Sequence, residues 1–157
     1  MPQVVIQNGY AIWTDKQTYP QRYSRFYNLI LEGLKGRESR SIKVADVGCS
    51  RGYATLELKR FLEEHGYAVT TIGIDFDRNV LGKAYVAGRI DHPIQGLSQD
   101  LPINHKSIDV VVCGSVIEYF PPEYYSEAMQ EFGRILKDDG VLMVNNPYPD
   151  IVKVKQK

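Results

Sequence analysis

The segment from Ile42 to Leu56 constrains the fold of this chain more than any other. It begins as a short apolar run with β-branched residues, is interrupted by Gly48 and Gly52, and continues with Leu58 and Leu62 at helical spacing. This pattern predicts a strand, a tight turn and a helix. Both glycines can adopt positive φ, and the N–H groups and positive dipole end of the helix then face the space beyond the turn. The turn is therefore predicted to bind a nucleotide-like molecule.

An acidic residue after the next strand supports this prediction. Asp75 ends a second β-rich run that begins at Val69. In doubly wound folds, an acid about 20 residues beyond the glycine turn bonds the ribose hydroxyls, and Asp75 stands at about that distance from Gly52. A glycine in a strand-to-helix turn has little weight alone, because many α/β proteins have one there. The acid after the second strand makes the glycine turn a more specific indication of a nucleotide site.

Five segments of the chain resemble the class I S-adenosylmethionine-dependent methyltransferase family. Asp46-Val-Gly-Cys-Ser-Arg-Gly52 is similar to the first motif of that family, in which an acid precedes Gly-x-Gly-x-Gly, and Gly73–Asp77 is similar to its ribose-binding acid. The other segments follow in the usual order of the family: Leu101-Pro102, Ile108–Ser115 and Glu127–Val144. The resemblance covers about residues 42–146.

The pattern and the resemblance together predict an α/β fold. We expect a doubly wound, mostly parallel sheet with strand order 3-2-1-4-5 and helices on both faces. One domain should span residues 1–157, with an N-terminal hairpin and cap helix (1–41), a cofactor-binding core (42–146) and a tail (147–157). We expect the usual last two strands of the family to be absent from this fold. The tail strand from Ile151 to Lys155 either folds back on the fifth strand or leaves an edge for another chain, which makes a homodimer one expectation.

The resemblance implies that the cofactor is S-adenosylmethionine and that its product is S-adenosylhomocysteine. Asp46 would organise the glycine turn, Asp75 would hold the ribose, and Phe76 would stack on the adenine. Ser50 replaces the middle glycine of the motif, so its Cβ must be accommodated. The predicted cofactor-binding residues are Asp46, Gly48, Cys49, Ser50, Gly52, Asp75, Phe76, Ser98, Gln99 and Ser115.

The adenine-binding segment departs from the family pattern. Aligning Leu101-Pro102 with the family puts Leu97 at the position of the aspartate that bonds the adenine amino group. That contact is expected instead from the Ser98 backbone, Gln99 or Asp100.

No catalytic residue is assigned. Glu118 and Tyr119 follow the fourth strand and are the nearest candidates for a base. A structural role explains each of them equally well: Glu118 as a carboxylate at the start of the next helix, and Tyr119 as a packed aromatic side chain. Asn146-Pro-Tyr148 is similar to the Asn-Pro-Pro-Tyr motif of amino-group methyltransferases. Because it follows the fifth strand and not the fourth, we predict a loop there.

The segment before the core contains two predicted elements and a linker. Asn8-Gly9 between apolar arms predicts a hairpin, and a helix is expected from Thr18 or Tyr19, with Pro20 in its first turn. Its aromatic stripe, which includes Tyr23 and Tyr27, either belongs to the core or contacts substrate. The polar residues 35–41 are expected to be a solvated connection.

Composition limits the partners. The chain has 19 basic and 19 acidic residues and zero formal net charge, so nothing global attracts it to nucleic acid or membrane. No apolar run approaches the length of a membrane span, and we expect a cytoplasmic location. Cys49 and Cys113 are expected to be reduced, and the scattered histidines predict no metal site.

These observations favour a methyltransferase that acts on a small organic substrate. The alternative is a non-catalytic S-adenosylmethionine-binding subunit of a methyltransferase-like complex. A dinucleotide-dependent dehydrogenase is weaker, because the turn lacks Gly-x-Gly-x-x-Gly spacing.

Overall fold

A six-stranded sheet organises the chain in a computed structural model, which describes residues 4–7, 10–13, 23–114, 122–145 and 151–154. The strands are β1 (Val4–Gln7), β2 (Tyr10–Trp13), β3 (Ser41–Val47), β4 (Ala68–Asp75), β5 (His92–Gln95), β6 (Ile108–Gly114), β7 (Leu136–Asn145) and β8 (Ile151–Val154). The helices are α1 (Tyr27–Leu34), α2 (Tyr53–Glu64), α3 (Arg78–Val86) and α4 (Pro122–Ile135). Within the described residues, no helix combines the length and apolarity that a membrane crossing requires.

The strand order of the main sheet is β5-β4-β3-β6-β7-β8. Its first five strands are parallel, which confirms the predicted order 3-2-1-4-5. Strand β8 runs antiparallel to β7, with Val154 opposite Val141. The tail therefore folds back on the fifth strand, the first of the two arrangements expected for this edge. Association of two chains stays a prediction.

Two apolar layers cover the sheet because side chains alternate along each strand. On β6, Val110 and Val112 pack with α1 and α2 on one face. Val111 and Cys113 pack with α4 on the other face. The buried side chains of the helices follow the predicted helical spacing: Tyr23, Phe26, Ile30 and Leu34 before β3, Leu58 and Leu62 on α2, and Ala128, Phe132 and Ile135 on α4.

Two details of strand pairing complete the description of the sheets. Strand β7 begins at Leu136, directly after α4, and its pairing with β6 changes register between Ile108 and Val110. Strands β1 and β2 pair antiparallel across two residues, which confirms the hairpin. The start of the first helix at Thr18 or Tyr19 and the loop at residues 146–148 lie outside the described residues.

The prediction that residues 35–41 are only a solvated connection is wrong for Arg37. Its Nη2 donates to Asp109 Oδ1 at 2.6 Å and to Asp139 Oδ1 at 2.9 Å, and its side chain is 10% exposed. Asp109 also accepts the backbone N–H of Lys43 and the Nζ of Lys137. This buried ionic cluster joins the linker to the amino-terminal ends of β3 and β6.

Candidate functional site

The glycine turn lies between β3 and α2, at the carboxyl edge of the sheet. Gly48, Ser50 and Gly52 have φ values of 77°, 50° and 75°, so three residues of the turn are left-handed. The N–H groups of Gly48 and Cys49 both donate to the Ile74 carbonyl, at 2.8 and 3.0 Å. The left-handed backbone at Ser50 is a local strain of about 1–2 kcal/mol for a residue with a Cβ. Such strain is typical of ligand-binding turns.

Asp75 connects the glycine turn to the end of β4. Its Oδ2 accepts the Ser50 N–H at 2.9 Å, and its Oδ1 accepts the Asp77 N–H at 3.0 Å. Burial raises the pKa of Asp75, an effect that the two backbone hydrogen bonds oppose and the nearby charge of Asp77 reinforces. Each carboxylate oxygen has a second lone pair, so Asp75 can also accept hydroxyl groups of a ligand. The predicted partnership of turn and acid is present in the geometry.

Gly52 approaches protein closely. A Cβ added there would lie 3.1 Å from Arg89 Cβ and Ile90 Cγ2, and 3.2 Å from Ala84 Cβ. The space at the Cβ position is thus taken by Ala84 on α3 and by the two residues Arg89 and Ile90 that follow this helix. Arg89 also holds the turn from outside, because its Nε donates to the Arg51 carbonyl at 2.6 Å. A ligand contact with the Gly52 backbone stays a prediction.

Asp46 is fully buried just before the turn. Its Oδ1 accepts the Tyr23 hydroxyl at 2.7 Å, and its Oδ2 accepts the Thr55 hydroxyl at 2.6 Å. Asp46 is therefore held inside the core by side chains that lie before and after the turn in the chain. Its role in organising the turn stays a prediction. Tyr23 is core and is not exposed to a substrate.

The segment after β5 completes the carboxyl edge near Asp75. The Gly96 N–H donates to the Asp75 carbonyl at 3.2 Å. Ser98 is buried and its hydroxyl lies 3.3 Å from Gln99 Oε1, whereas Leu97 is 36% exposed. The segment that contains the predicted adenine contacts is thus joined to Asp75 through Gly96, and it includes an exposed apolar side chain.

An ion pair on helix α4, between Glu131 and Arg134, holds the loop that contains Leu101 and Ile103. Glu131 Oε2 accepts the Leu101 N–H at 2.7 Å, and Arg134 donates to the carbonyls of Ile103 and Leu101 at 2.8 and 2.9 Å. The Arg134 guanidinium holds the pKa of Glu131 below its ordinary value, together with the Leu101 N–H and against the effect of burial.

We expect Glu131→Gln to lower the free energy of unfolding at neutral pH by about 1 kcal/mol, because the charge-assisted bonds to Arg134 are lost. The ionised Glu131 stabilises the fold above its unfolded pKa, and this contribution disappears as pH falls through the lower folded pKa. Urea denaturation at several pH values should show the difference from wild type vanishing in acid. Glu127→Gln, an exposed change on the same helix, is the control. An equal difference at all pH values would contradict the assignment.

A comparison with known families decides the relationship. Residues 45–144 match the family model described as a methyltransferase domain, which is more than half of the chain. The chain belongs to the class I S-adenosylmethionine-dependent methyltransferase family. Family membership implies S-adenosylmethionine as cofactor and S-adenosylhomocysteine as product. It also confirms the resemblance found in the sequence.

Curated relatives of this methyltransferase-family chain are longer than the chain itself. It is 30% identical over 117 residues to the uncharacterized methyltransferase sll0829 of Synechocystis, covering 74% of this chain and 51% of that one. It is 28% identical over 110 residues to the carboxy-S-adenosyl-L-methionine synthase of Actinobacillus succinogenes, covering 68% and 45%. The chain thus spans about half the length of these relatives.

Solved structures support the fold of the family. The YcgJ protein of Bacillus matches with a TM-score of 0.59 and 22% identity over 77% of this chain and 50% of that one. The [4+2]-cyclase SpnF matches with a TM-score of 0.61 and 21% identity over 89% and 51%. At these identities the likeness shows the fold alone, and because the second neighbour is a cyclase, the fold does not fix the reaction.

The predicted site residues divide into three groups. The contacts described above bring together the glycine turn, Asp75 and the segment after β5. The Cys49 side chain instead lies in an apolar cluster with Leu81, Ala84 and Ile90, and its N–H and carbonyl are bonded to Ile74 and Gly52. Its contact with a ligand stays a prediction. Ser115, Glu118 and Tyr119 lie outside the described residues, and their roles stay predictions.

The sequence did not identify Thr55, Arg89 or Tyr23 as supports of the turn. A tyrosine on an apolar stripe needs a partner for its hydroxyl when it is buried, and Asp46 was the acid predicted to lie near the turn. That requirement could have identified Tyr23 as a hydrogen-bond partner of Asp46. Thr55 and Arg89 show no comparable pattern.

Proposed function

We propose that this chain binds S-adenosylmethionine across the carboxyl ends of β4, β3 and β6 and transfers its methyl group to a small organic acceptor. One observation carries the proposal: the carboxylate of Asp75 is hydrogen-bonded to the left-handed glycine turn at Ser50. An acid that ends the second parallel strand beside a glycine turn is the arrangement that doubly wound folds use for a ribose.

The residues present suit this cofactor. Asp75 can accept from the ribose hydroxyls, and the left-handed turn beside it leaves backbone groups at the start of α2 for the amino-acid half. Phe76 is half-buried immediately after the acid, next to the segment that contains Ser98 and Gln99. We assign adenine to this side of Asp75.

Methyl transfer requires little acid–base chemistry from the chain. The sulfonium supplies an electrophilic methyl group, so the protein's main task is to align the acceptor and exclude water. Alignment alone can contribute several orders of magnitude in rate. Glu118 or Tyr119 would serve as base only for an acceptor that must lose a proton.

The proposal also covers the chemical class of the methyl acceptor and the location of the protein in the cell. Zero formal net charge argues against a polyanionic acceptor, and we retain a small organic molecule. The aromatic support for that preference is weaker than the sequence suggested, because Tyr23 is core. A cytoplasmic location stays a prediction.

A second candidate comes from the names of relatives. Several are carboxy-S-adenosyl-L-methionine synthases, at 24–29% identity. Such an activity would change the cofactor itself and leave no methylated acceptor. We place it second because two relatives of higher identity, at 30% and 31%, are named as methyltransferases.

Calorimetry with S-adenosylmethionine, S-adenosylhomocysteine and NAD tests the binding step. We expect both sulfur nucleosides to bind and NAD not to bind; the reverse would refute the proposal. A screen with methyl-labelled cofactor and mass spectrometry of the nucleosides then separates the activities. A labelled acceptor supports methyl transfer, a carboxylated cofactor supports the second candidate, and binding without any product supports the non-catalytic subunit.

A further inference from the structure

Three fully buried polar side chains meet beneath the glycine turn. The hydroxyls of Tyr23 and Thr55 donate to different oxygens of Asp46, at 2.7 and 2.6 Å. All three residues have no exposed surface. A buried carboxylate is tolerated only where hydrogen bonds compensate its lost hydration, so each donor matters to the position of Asp46.

The position of these residues in the chain ties them to the turn. Asp46 is the next-to-last residue of β3, two positions before Gly48, and Thr55 is the third residue of α2, three positions after Gly52. The Thr55–Asp46 bond therefore connects the two sides of the turn. Tyr23 adds a support from the segment that precedes α1.

The glycine turn and the proposed adenine contacts lie on opposite sides of Asp75. Asp75 ends β4, whose neighbours in the sheet are β5 on one side and β3 on the other. With the ribose at Asp75 and the adenine on the β5 side, the amino-acid half of the cofactor must extend over the end of β3. Strands are about 4.8 Å apart, so this half would reach the turn that follows Asp46.

We propose that Tyr23 is a positioning residue which, through Asp46, fixes the glycine turn for the amino-acid half of the cofactor. Thr55 has the same role from the helix side. This inference rests on the proposed function, because it requires S-adenosylmethionine to occupy the site. It assigns to the segment before α1 a part in cofactor binding without any contact with the ligand.

Two nucleosides that differ only in this half provide the test. Calorimetry compares S-adenosylhomocysteine with 5′-methylthioadenosine, which has the same adenosine and sulfur but no amino-acid group. We expect Tyr23→Phe to weaken the binding of S-adenosylhomocysteine by about fivefold to tenfold, the loss that corresponds to one hydrogen bond of average or slightly higher strength. The affinity for 5′-methylthioadenosine should change by less than about twofold, because the ribose and adenine contacts remain. Tyr67→Phe, at a buried tyrosine directly before β4, is the matched control and should change neither affinity.

Thr55 provides a second pair of variants should Tyr23→Phe fail to fold. Thr55→Val should reproduce the selective loss, and Thr55→Ser, which keeps the hydroxyl, should retain the wild-type affinity for S-adenosylhomocysteine. An equal loss of affinity for both nucleosides would show that the three residues only stabilise the fold, and it would overturn the inference. Unchanged affinities would overturn it as well. A wild-type chain that binds neither nucleoside would instead refute the proposed function.

Discussion

Asp109→Ala should lower the free energy of unfolding by about 3–5 kcal/mol, the cost of removing one partner from a buried ion pair. The Asp109 side chain is 3% exposed and accepts from Arg37, Lys43 and Lys137 at 2.6–2.9 Å. Without it, the acidic partner left to the buried Arg37, within the described part of the chain, is the half-exposed Asp139. Urea denaturation followed by circular dichroism measures the change.

Asp138→Ala is the matched control. Asp138 pairs with Lys106 at 3.0 Å, but the two side chains are 76% and 48% exposed. An exposed pair contributes less than about 1 kcal/mol, so this variant should unfold nearly like wild type. A double-mutant cycle between positions 37 and 109 should give a coupling energy above that value. An Asp109→Ala cost similar to that of Asp138→Ala would show that the cluster does not hold the linker.

Asp75→Ala should weaken S-adenosylhomocysteine binding by about 1–3 kcal/mol, the range for losing a charge-assisted hydrogen bond. This corresponds to a dissociation constant roughly 5- to 150-fold higher. The variant also loses the acceptor for the Ser50 N–H, so the turn itself loses a support. Titration calorimetry gives the change in affinity. An unchanged dissociation constant would remove the ribose assignment.

The pH dependence of the same binding distinguishes Asp75 from a neighbouring acid. In the proposed site the ionised carboxylate accepts the ribose hydroxyls, so affinity should fall as pH drops through the raised pKa of Asp75, at a higher pH than for an exposed aspartate. Asp77→Ser keeps a side chain that can cap α3 but removes a like charge that contributes to this raised pKa. We expect normal affinity at neutral pH and a fall displaced to lower pH. A displacement to higher pH would contradict this account.

The sheet order could be predicted because the information is local. The three central strands β3, β4 and β6 appear as short β-branched runs, the crossover helices have an apolar face at helical spacing, and right-handed connections leave few arrangements. The relation of Asp75 to the turn was predictable for the same reason, since parallel strands bring their carboxyl ends to one edge. The structure confirms the predicted strand order.

The buried polar contacts could not be predicted because they join distant parts of the chain. Arg37 and Asp109 are 72 positions apart, and no periodicity links a polar linker to the start of a central strand. The same holds for Tyr23 and Asp46, 23 positions apart. Gly52 was correctly predicted as a turn residue, but its packing against Ala84 and Ile90 depends on how α3 returns to the sheet.

The sulfur of Cys49 offers a reporter inside the glycine turn. A Cβ on Gly73 would lie 2.9 Å from this sulfur, and the thiol is 3% exposed in the apolar cluster beneath the turn. An alkylating reagent can therefore reach Cys49 only during excursions in which the turn separates from β4. The rate of alkylation at this position would measure how often the glycine turn opens, without any change in the sequence.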